Sequence, residues 1–594
     1  MHVLATAGHV DHGKSALVRA LTGMEPDRYA EERRRGLTLD LGFVWTGPDG
    51  PGGERLAFVD VPGHERFVST MLAGVGPVPA VLFVVAADQG WQPQSAEHLA
   101  ILDALGVRHA VLAVTRSDLA DPEPVRADAV ERLAATSLGK VPAVAVSSVT
   151  GAGLDDLRAE LYALSAALPA PDADADVRFW LDRSFSVRGH GTVVTGTLGA
   201  GTLRVGDRLV TGDGTAVLRV RSLQSLHDDL DTVGPVARVA VNVHGADDAD
   251  LRRGQVLLTP DRWLRTELTD VRVTGEAPGD LPRNVTLHLG TAAVPVTVRP
   301  LGADTARLAL GRALPLRVGD RAVLREPGGT RPPCAVTVLD VRPPRLGRRG
   351  DGRARAAELA GMTGRPDGAA ELRRRGLVRR ADLTGMGAVP PAAPVAGDWL
   401  ADPAHWAALG ERLVTETERH ASAHPLEPGL PTEAARRLLG LPDRALIDAL
   451  AARTDRLTAR EGRLRLAADA ADTLPAPVRA AVDAARADLA RTPFRAPEAD
   501  RLTELGLRKR ELAAAVGAGA LLRIADGIVL LPGADTEAAA VLRGLPQPFT
   551  VSEARRALDT TRRVAVPLLE LLDARGLTER VDEGHRRCRP VGGG

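Results

Sequence analysis

GHVDHGKS, Gly8 to Ser15, follows the apolar run Val3 to Ala7 and precedes the helical pattern ALVRALTGM. A glycine-rich turn between a strand and a helix, ending in Gly-Lys-Ser, is the spacing of a phosphate-binding loop. Gly8, Asp11, His12 and Gly13 form the turn, whose successive N–H groups and following helix N-terminus would face an anion. Lys14 would reach the outer phosphates, and the Ser15 hydroxyl would hold Mg²⁺. The stretch therefore predicts a nucleoside triphosphate site at the end of the first strand.

Working outward, continuous apolar runs recur at LAFVDV (56–61), AVLFVVAA (80–87), AVLAVT (110–115) and VPAVAVS (141–147). Continuous rather than alternating runs suit strands buried on both faces. Helical patterns such as SAEHLAILDALG (95–106) and ADAVERLAA (127–135) separate them, so residues 1–171 read as a doubly wound α/β P-loop domain. Its ligand belongs at the carboxyl ends of the strands. There DVPGHE offers Asp60 for Mg²⁺, Gly63 for an N–H near the γ-phosphate, and His64 to orient an attacking water. RRRGLTLDLGF (33–43) supplies Thr38 as a further Mg²⁺ ligand on a loop that would order with the triphosphate. In TRSD, Asp118 would accept the paired donors that guanine presents and adenine lacks. Ser147 and Ser148 of SSVTGAG bring backbone N–H groups to the guanine carbonyl.

The totals set broader bounds. A chain of 594 residues holds several domains, and 76 Lys plus Arg balance 76 Asp plus Glu, so any nucleic-acid surface must be local. Lysine occurs only at Lys14, Lys140 and Lys509, which singles out Lys14 in a chain that otherwise uses Arg. Cys334 and Cys588 are distant and lack metal-type spacing, as in a reducing cytoplasm. With Asp11 and Lys14 interrupting the first apolar run and no long apolar stretch, neither a signal peptide nor a membrane partner is expected. A cytoplasmic monomer is the expectation.

After the linker LPAPDADAD (168–176) the pattern changes to short alternating strands with glycine turns, at 172–260 and again at 261–342. Two β-barrels are predicted. The P-loop, the Thr38 loop, DVPGHE, TRSD and SSVTGAG, in this order and followed by two barrels, resemble the translational GTPases of the elongation factor Tu class. One departure is that Thr115 and Arg116 stand where the family has Asn and Lys. GTVVTGTL followed by VGD resembles that class's second domain, and LDRSF in the same barrel resembles the selenocysteine-specific, SelB-type factors. The resemblance implies GTP/GDP and Mg²⁺ as ligands, with Asp182, Arg183 and Arg238 lining a pocket for the selenocysteinyl group. A selenol is largely anionic at neutral pH and a buried Arg favours that form. On this expectation Arg238 contacts the selenolate and Asp182 orients Arg183.

RPPRLGRRGDGRARA opens the last part, where a linker is expected at 343–354. Beyond it a unit of about sixty residues recurs, each copy reading helix, turn, helix and an acid-Gly hairpin. Four winged helices follow, at 355–422, 423–474, 475–537 and 538–594. From residue 541 onward ten Arg face seven Asp plus Glu, and Arg562, Arg563, Arg586 and Arg587 are the candidate mRNA contacts. In SelB-type factors the final copy grips an mRNA hairpin beside UGA, which implies selenocysteinyl-tRNA, that hairpin and the ribosome as partners. A carrier of other aminoacyl- or initiator tRNA, a regulatory RNA-binding GTPase and a winged-helix scaffold remain as alternatives.

Overall fold

The computed structural model describes residues 2–26, 38, 40–47, 55–64, 67–76, 78–188, 191–245, 251–328, 331–427, 429–467 and 474–589. Of the motifs above, residues 33–37 and 39 of the Thr38 loop and Glu65 lie outside them. The chain divides into two compact units, Met1–Glu371 with Arg379–Pro391, and Leu372–Val378 with Ala392–Gly594.

In the first unit, strands β1 (His2–Ala7), β2 (Gly42–Trp45), β3 (Leu56–Asp60), β4 (Ala80–Ala86), β5 (Ala110–Thr115) and β6 (Ala143–Ala145) form one sheet. Its order is β2-β3-β1-β4-β5-β6, with β2 antiparallel to β3 and the other pairs parallel. Alternate residues feed opposite cores: Val81, Phe83 and Val85 pack on one side, Ala80, Leu82 and Val84 on the other. That two-sided burial is why these strands carry no polar alternation.

The second module is a barrel of β7 (Arg178–Val187), β8 (Gly191–Leu198), β9 (Leu203–Arg204), β10 (Arg208–Thr211), β11 (Val217–Ser225), β12 (Asp228–Leu230), β13 (Thr232–Val233), β14 (Ala237–His244) and β15 (Val256–Leu258). The main sheet runs β10-β15-β7-β8-β14-β11-β12, and a further β10–β11 pairing closes it. Gly196 of GTVVTGTL is required there, since a Cβ would lie 2.3 Å from the Trp180 carbonyl oxygen. The third module is a closed barrel, β16-β19-β18-β17-β20-β21, of β16 (Arg265–Thr274), β17 (Asn284–Leu289), β18 (Ala292–Pro300), β19 (Thr305–Pro315), β20 (Arg321–Arg325) and β21 (Cys334–Asp340).

The expected linker at 343–354 is corrected at its end. A helix already begins at Asp351 and runs to Ala360, and its Arg355, 2% exposed in the side chain, bonds Asp270 of β16 at 2.7 Å. Arg307 holds the same carboxylate from β19, at 2.6 and 2.9 Å. A buried guanidinium demands such partners, so the polar sequence around it belongs to the barrel unit. The span 355–422 is also not one winged helix: it divides between the two units, and the helix Pro403–Ala423 packs its Trp406, Leu409 and Leu413 into the core of the following copy.

In the second unit that copy continues with helices Thr432–Leu439 and Arg444–Ala452 and the hairpin Leu457–Arg460/Arg463–Leu466. The next has helices Ala476–Arg491, Ala499–Glu504 and Lys509–Gly517 with the hairpin Leu522–Ala525/Ile528–Leu530. The last has Ala534–Arg543, Val551–Ala557 and Arg562–Ala574 with the wing Thr578–Arg580/His585–Cys588. Gly462 and Gly527 take positive φ of 72° and 70° at the first two hairpin tips, as tight hairpin turns require. In the third, Asp582 Oδ1 accepts the amides of Gly584 and His585, both at 2.8 Å, and makes the turn with its side chain. The last two copies are not separate bodies: one continuous core runs from Leu474 through Leu530 to Leu572.

Candidate functional site

The loop after β1 turns by left-handed backbone at Gly8, Asp11 and Gly13, with φ of 127°, 64° and 80°. A Cβ on Gly8 would meet the Val84 carbonyl oxygen at 2.1 Å, so the loop is seated on β4 and tolerates no side chain there. Lys14 opens the helix Lys14–Thr22 and bonds the carbonyls of Gly8 and His9 at 3.0 and 2.8 Å. Burial lowers its pKa to about 8, opposed by Asp60 and Asp11. It nevertheless remains mostly an ammonium at neutral pH. Gly63 passes over this lysine so closely that a Cβ would lie 2.5 Å from both Nζ and the Val10 nitrogen.

Ser15, Thr38 and Asp60 converge. Ser15 Oγ lies 2.9 Å from Thr38 Oγ1 and donates to Asp60 Oδ2 at 2.6 Å, while Thr6 Oγ1 holds Asp60 Oδ1 at 2.8 Å. Two hydroxyls and a carboxylate are hard oxygen donors, and this set fits Mg²⁺. His64 follows Gly63 with its ring edge-on to Phe67 at 6.2 Å.

The side chain of His12 turns inward. Its imidazole is fully buried with Nδ1 3.4 Å from the Val84 carbonyl, and desolvation lowers its pKa to about 4. The side chain packs the loop from below, and only the backbone of His12 belongs to the phosphate-facing surface. TRSD also works on the loop. Thr115 Oγ1 donates to the His12 carbonyl at 2.7 Å; Arg116 bonds the Asp11 carbonyl and pairs with Asp88 at 2.9 Å. The two replacements thus tie the base loop to the phosphate loop. Asp118 is exposed at the turn after β5, and Ser147 Oγ accepts the Val149 and Thr150 amides at 3.3 and 3.1 Å beside half-buried Ser148.

Sequence reading missed the supports beneath the loop. Gln94 and His98 lie one turn apart on the helix Pro93–Leu105; Gln94 Oε1 accepts the Val10 amide at 3.0 Å and His98 Nδ1 the Gly8 amide at 3.1 Å. Their spacing of four along a helix was the available signal.

In the second module, Asp182 binds Arg238, not Arg183 as expected. Arg238 makes a two-pronged pair with Asp182, whose Oδ1 also accepts Thr195 Oγ1 at 2.6 Å. The cause is local. The β7–β8 register slips between Leu181 and Arg183, and this bulge re-aims the consecutive side chains. Arg183 instead reaches Asp40 Oδ2 at 2.8 Å and the Leu41 carbonyl at 2.7 Å, just before β2. Both guanidiniums stand over the Phe43 ring, Arg183 at 5.6 Å and Arg238 at 3.6 Å from its centroid. They border a cavity of about 230 Å³ that Phe185, Thr195 and His227 also line.

Residues 1–167 match the family model described as the elongation factor Tu GTP binding domain, and residues 540–587 that described as the elongation factor SelB winged helix. Elongation factor Tu 2 of Streptomyces avermitilis is 30% identical over 381 residues, an alignment covering 57% of this chain and 96% of that protein. The chain belongs to the elongation factor Tu-like translational GTPases. The selenocysteine-specific elongation factor of Desulfomicrobium baculatum is 38% identical over 339 residues, 54% of this chain and 53% of that relative. The chain thus spans about half the length of such SelB-type relatives, 53 to 56%. The crystal structure of a bacterial selenocysteine-specific elongation factor, EF-Sec, shares the fold with a TM-score of 0.75 at 23% identity, over 99% of this chain and 100% of that one.

Of the four arginines assigned to mRNA, two are committed elsewhere. Arg563 bonds the Ala496 and Pro497 carbonyls, both at 3.1 Å, and joins the last two winged helices. Arg586, 5% exposed in its side chain, holds Asp573 at 2.9 Å beneath the wing. Arg562 is exposed, and Arg587 is exposed while pairing with Glu579 at 2.6 Å. Arg563 keeps about a third of its side chain exposed, whereas Arg586 is buried.

Proposed function

We propose that this chain is a GTP-hydrolysing elongation factor that delivers selenocysteinyl-tRNA to the ribosome at UGA codons marked by an mRNA hairpin. The observation that carries the reading is the convergence of Arg183 and Arg238 on Phe43, five residues after Thr38 of the metal-ligand set. Two guanidiniums at one small cavity suit an anionic selenolate better than a neutral seryl hydroxyl. One charge-assisted hydrogen bond, worth about 1.5–3 kcal/mol, gives roughly 10- to 150-fold preference.

In the nucleotide site, Lys14 and the loop amides would hold the phosphates, and Asp118 would read guanine. Ser15, Thr38 and Asp60 would hold Mg²⁺, which would offset the charge of the phosphates. His64 would orient the hydrolytic water once the ribosome sets its position, a positional form of catalysis. The segment bearing Thr38 would then relax and release the tRNA. The C-terminal copy would tether the factor to the message and raise its local concentration at one codon. Among the described residues no helix is long and apolar enough to cross a membrane, and the proposed setting is the cytoplasm.

The test compares selenocysteinyl- with seryl-tRNA binding in a non-hydrolysable GTP analogue. Strong preference for the first supports the proposal. Equal binding favours a carrier of ordinary or initiator tRNA, and failure to protect any aminoacyl ester favours a regulatory GTPase.

A further inference from the structure

Between the metal-ligand set and the arginine pocket runs one short piece of chain, and its contacts at the two ends differ in kind. Thr38 Oγ1 meets Ser15 Oγ at 2.9 Å. Two residues on, Asp40 meets Arg183 at 2.8 Å and faces Arg253, from the turn before the neighbouring strand β15, at 3.6 Å. The Leu41 carbonyl accepts from Arg183 at 2.7 Å, and Phe43 lies under Arg238. Two residues span at most about 7 Å of chain, so Thr38 and Asp40 are closely tethered.

We propose that Asp40 is a positioning residue through which the nucleotide state sets the pocket's preference for an anionic aminoacyl side chain. The inference rests on the carrier reading above. Nη2 of Arg183 makes the bonds to Asp40 and to the Leu41 carbonyl. A guanidinium has five N–H donors in a planar fork. With Nη2 held, the N–H groups of Nε and Nη1 remain as donors of fixed direction for a second anion, and the Asp40 charge offsets that of Arg183 and Arg253 between visits. With Thr38 on its ligand set, the fork is fixed. When the segment relaxes, Arg183 loses its anchor and must be ordered by the ligand itself, which weakens binding. A neutral seryl side chain draws little on that fork and is therefore little affected.

The experiment measures binding of selenocysteinyl-tRNA and seryl-tRNA, each with a GTP analogue and with GDP, for the wild-type chain, Asp40→Asn and Asp40→Glu. Asn keeps the size and removes the charge; Glu restores the charge on a longer arm. The expected result is that the analogue-to-GDP affinity ratio for selenocysteinyl-tRNA falls about tenfold or more in Asp40→Asn. It recovers in part in Asp40→Glu, and the seryl-tRNA ratio moves far less. An unchanged selenocysteinyl ratio overturns the proposal. Equal falls for both tRNAs also overturn it, because they assign Asp40 a general structural role. A wild-type chain that binds both tRNAs alike under the analogue overturns the carrier reading itself, and is seen before any variant is compared.

Discussion

The amide of Gly8 donates to the imidazole Nδ1 of His98 at 3.1 Å, across ninety residues of chain. That bond requires a neutral ring. Burial, reinforced by Lys14 and His9, lowers the His98 pKa from the ordinary 6.5 to about 3, and burial lowers that of His12 to about 4. Both groups bind fewer protons folded than unfolded once pH drops below 6.5, so their stabilisation is full above that value and lost as pH falls toward 3. Each contributes a slope of up to about 1.4 kcal/mol per pH unit. Denaturant unfolding followed from pH 7 to 4 should show this decline in the GTP-binding domain, and His98→Gln, which keeps an acceptor but does not titrate, should flatten it.

Arg116 joins Asp88 to the Asp11 carbonyl, and Thr115 caps the His12 carbonyl. Thr115→Ala removes one neutral hydrogen bond, about 1 kcal/mol, and should raise the GDP dissociation constant roughly fivefold. Asp118→Asn should act differently, weakening GTP while leaving ATP binding as poor as before. Competition with both nucleotides separates the two effects, and equal wild-type binding of ATP would remove the guanine assignment.

Ser15 Oγ stands between Thr38 and Asp60 at hydrogen-bond distance from both. Ser15→Ala should therefore weaken GTP binding in millimolar Mg²⁺ by ten- to a hundredfold, the scale of a charge-assisted contact. In EDTA the variant and the wild-type chain should converge. A constant difference with and without Mg²⁺ would place the hydroxyl outside the metal's coordination.

For the C-terminal arginines the structure separates RNA binding from folding. Arg562→Ala with Arg587→Ala should weaken hairpin binding and reduce its salt slope by one to two, since each lost phosphate contact removes about 0.9 or less. Arg586→Ala should instead lower unfolding stability by about 2 kcal/mol, because Asp573 loses its buried partner. An Arg586→Ala chain with normal stability and impaired RNA binding would reverse that assignment.

What the sequence made legible was local. The phosphate loop, DVPGHE and the continuous strands each fit within about ten residues, and their chemistry follows from their own spacing. Edge strand β2 was not read as a strand because GFVW is four residues long and turns direction beside β3. The Asp182–Arg238 pairing was hidden by a bulge, which no hydrophobic pattern announces, and Asp40 looked like an ordinary loop acid. The burial of Arg586 was hidden for a related reason: its partner Asp573 stands 13 residues away. An Arg-rich composition leaves exposed and internal guanidiniums looking alike.

The common core from Leu474 to Leu572 makes the last two winged helices a single cooperative element. Proteolysis should find no stable fragment that ends between them, and chains shortened at about residue 537 should aggregate rather than keep two sound copies. A hairpin held at Arg562 would pull on two repeats at once. Whatever load the moving message applies at that end reaches the helix Ala476–Arg491 through packed side chains rather than through a flexible tether.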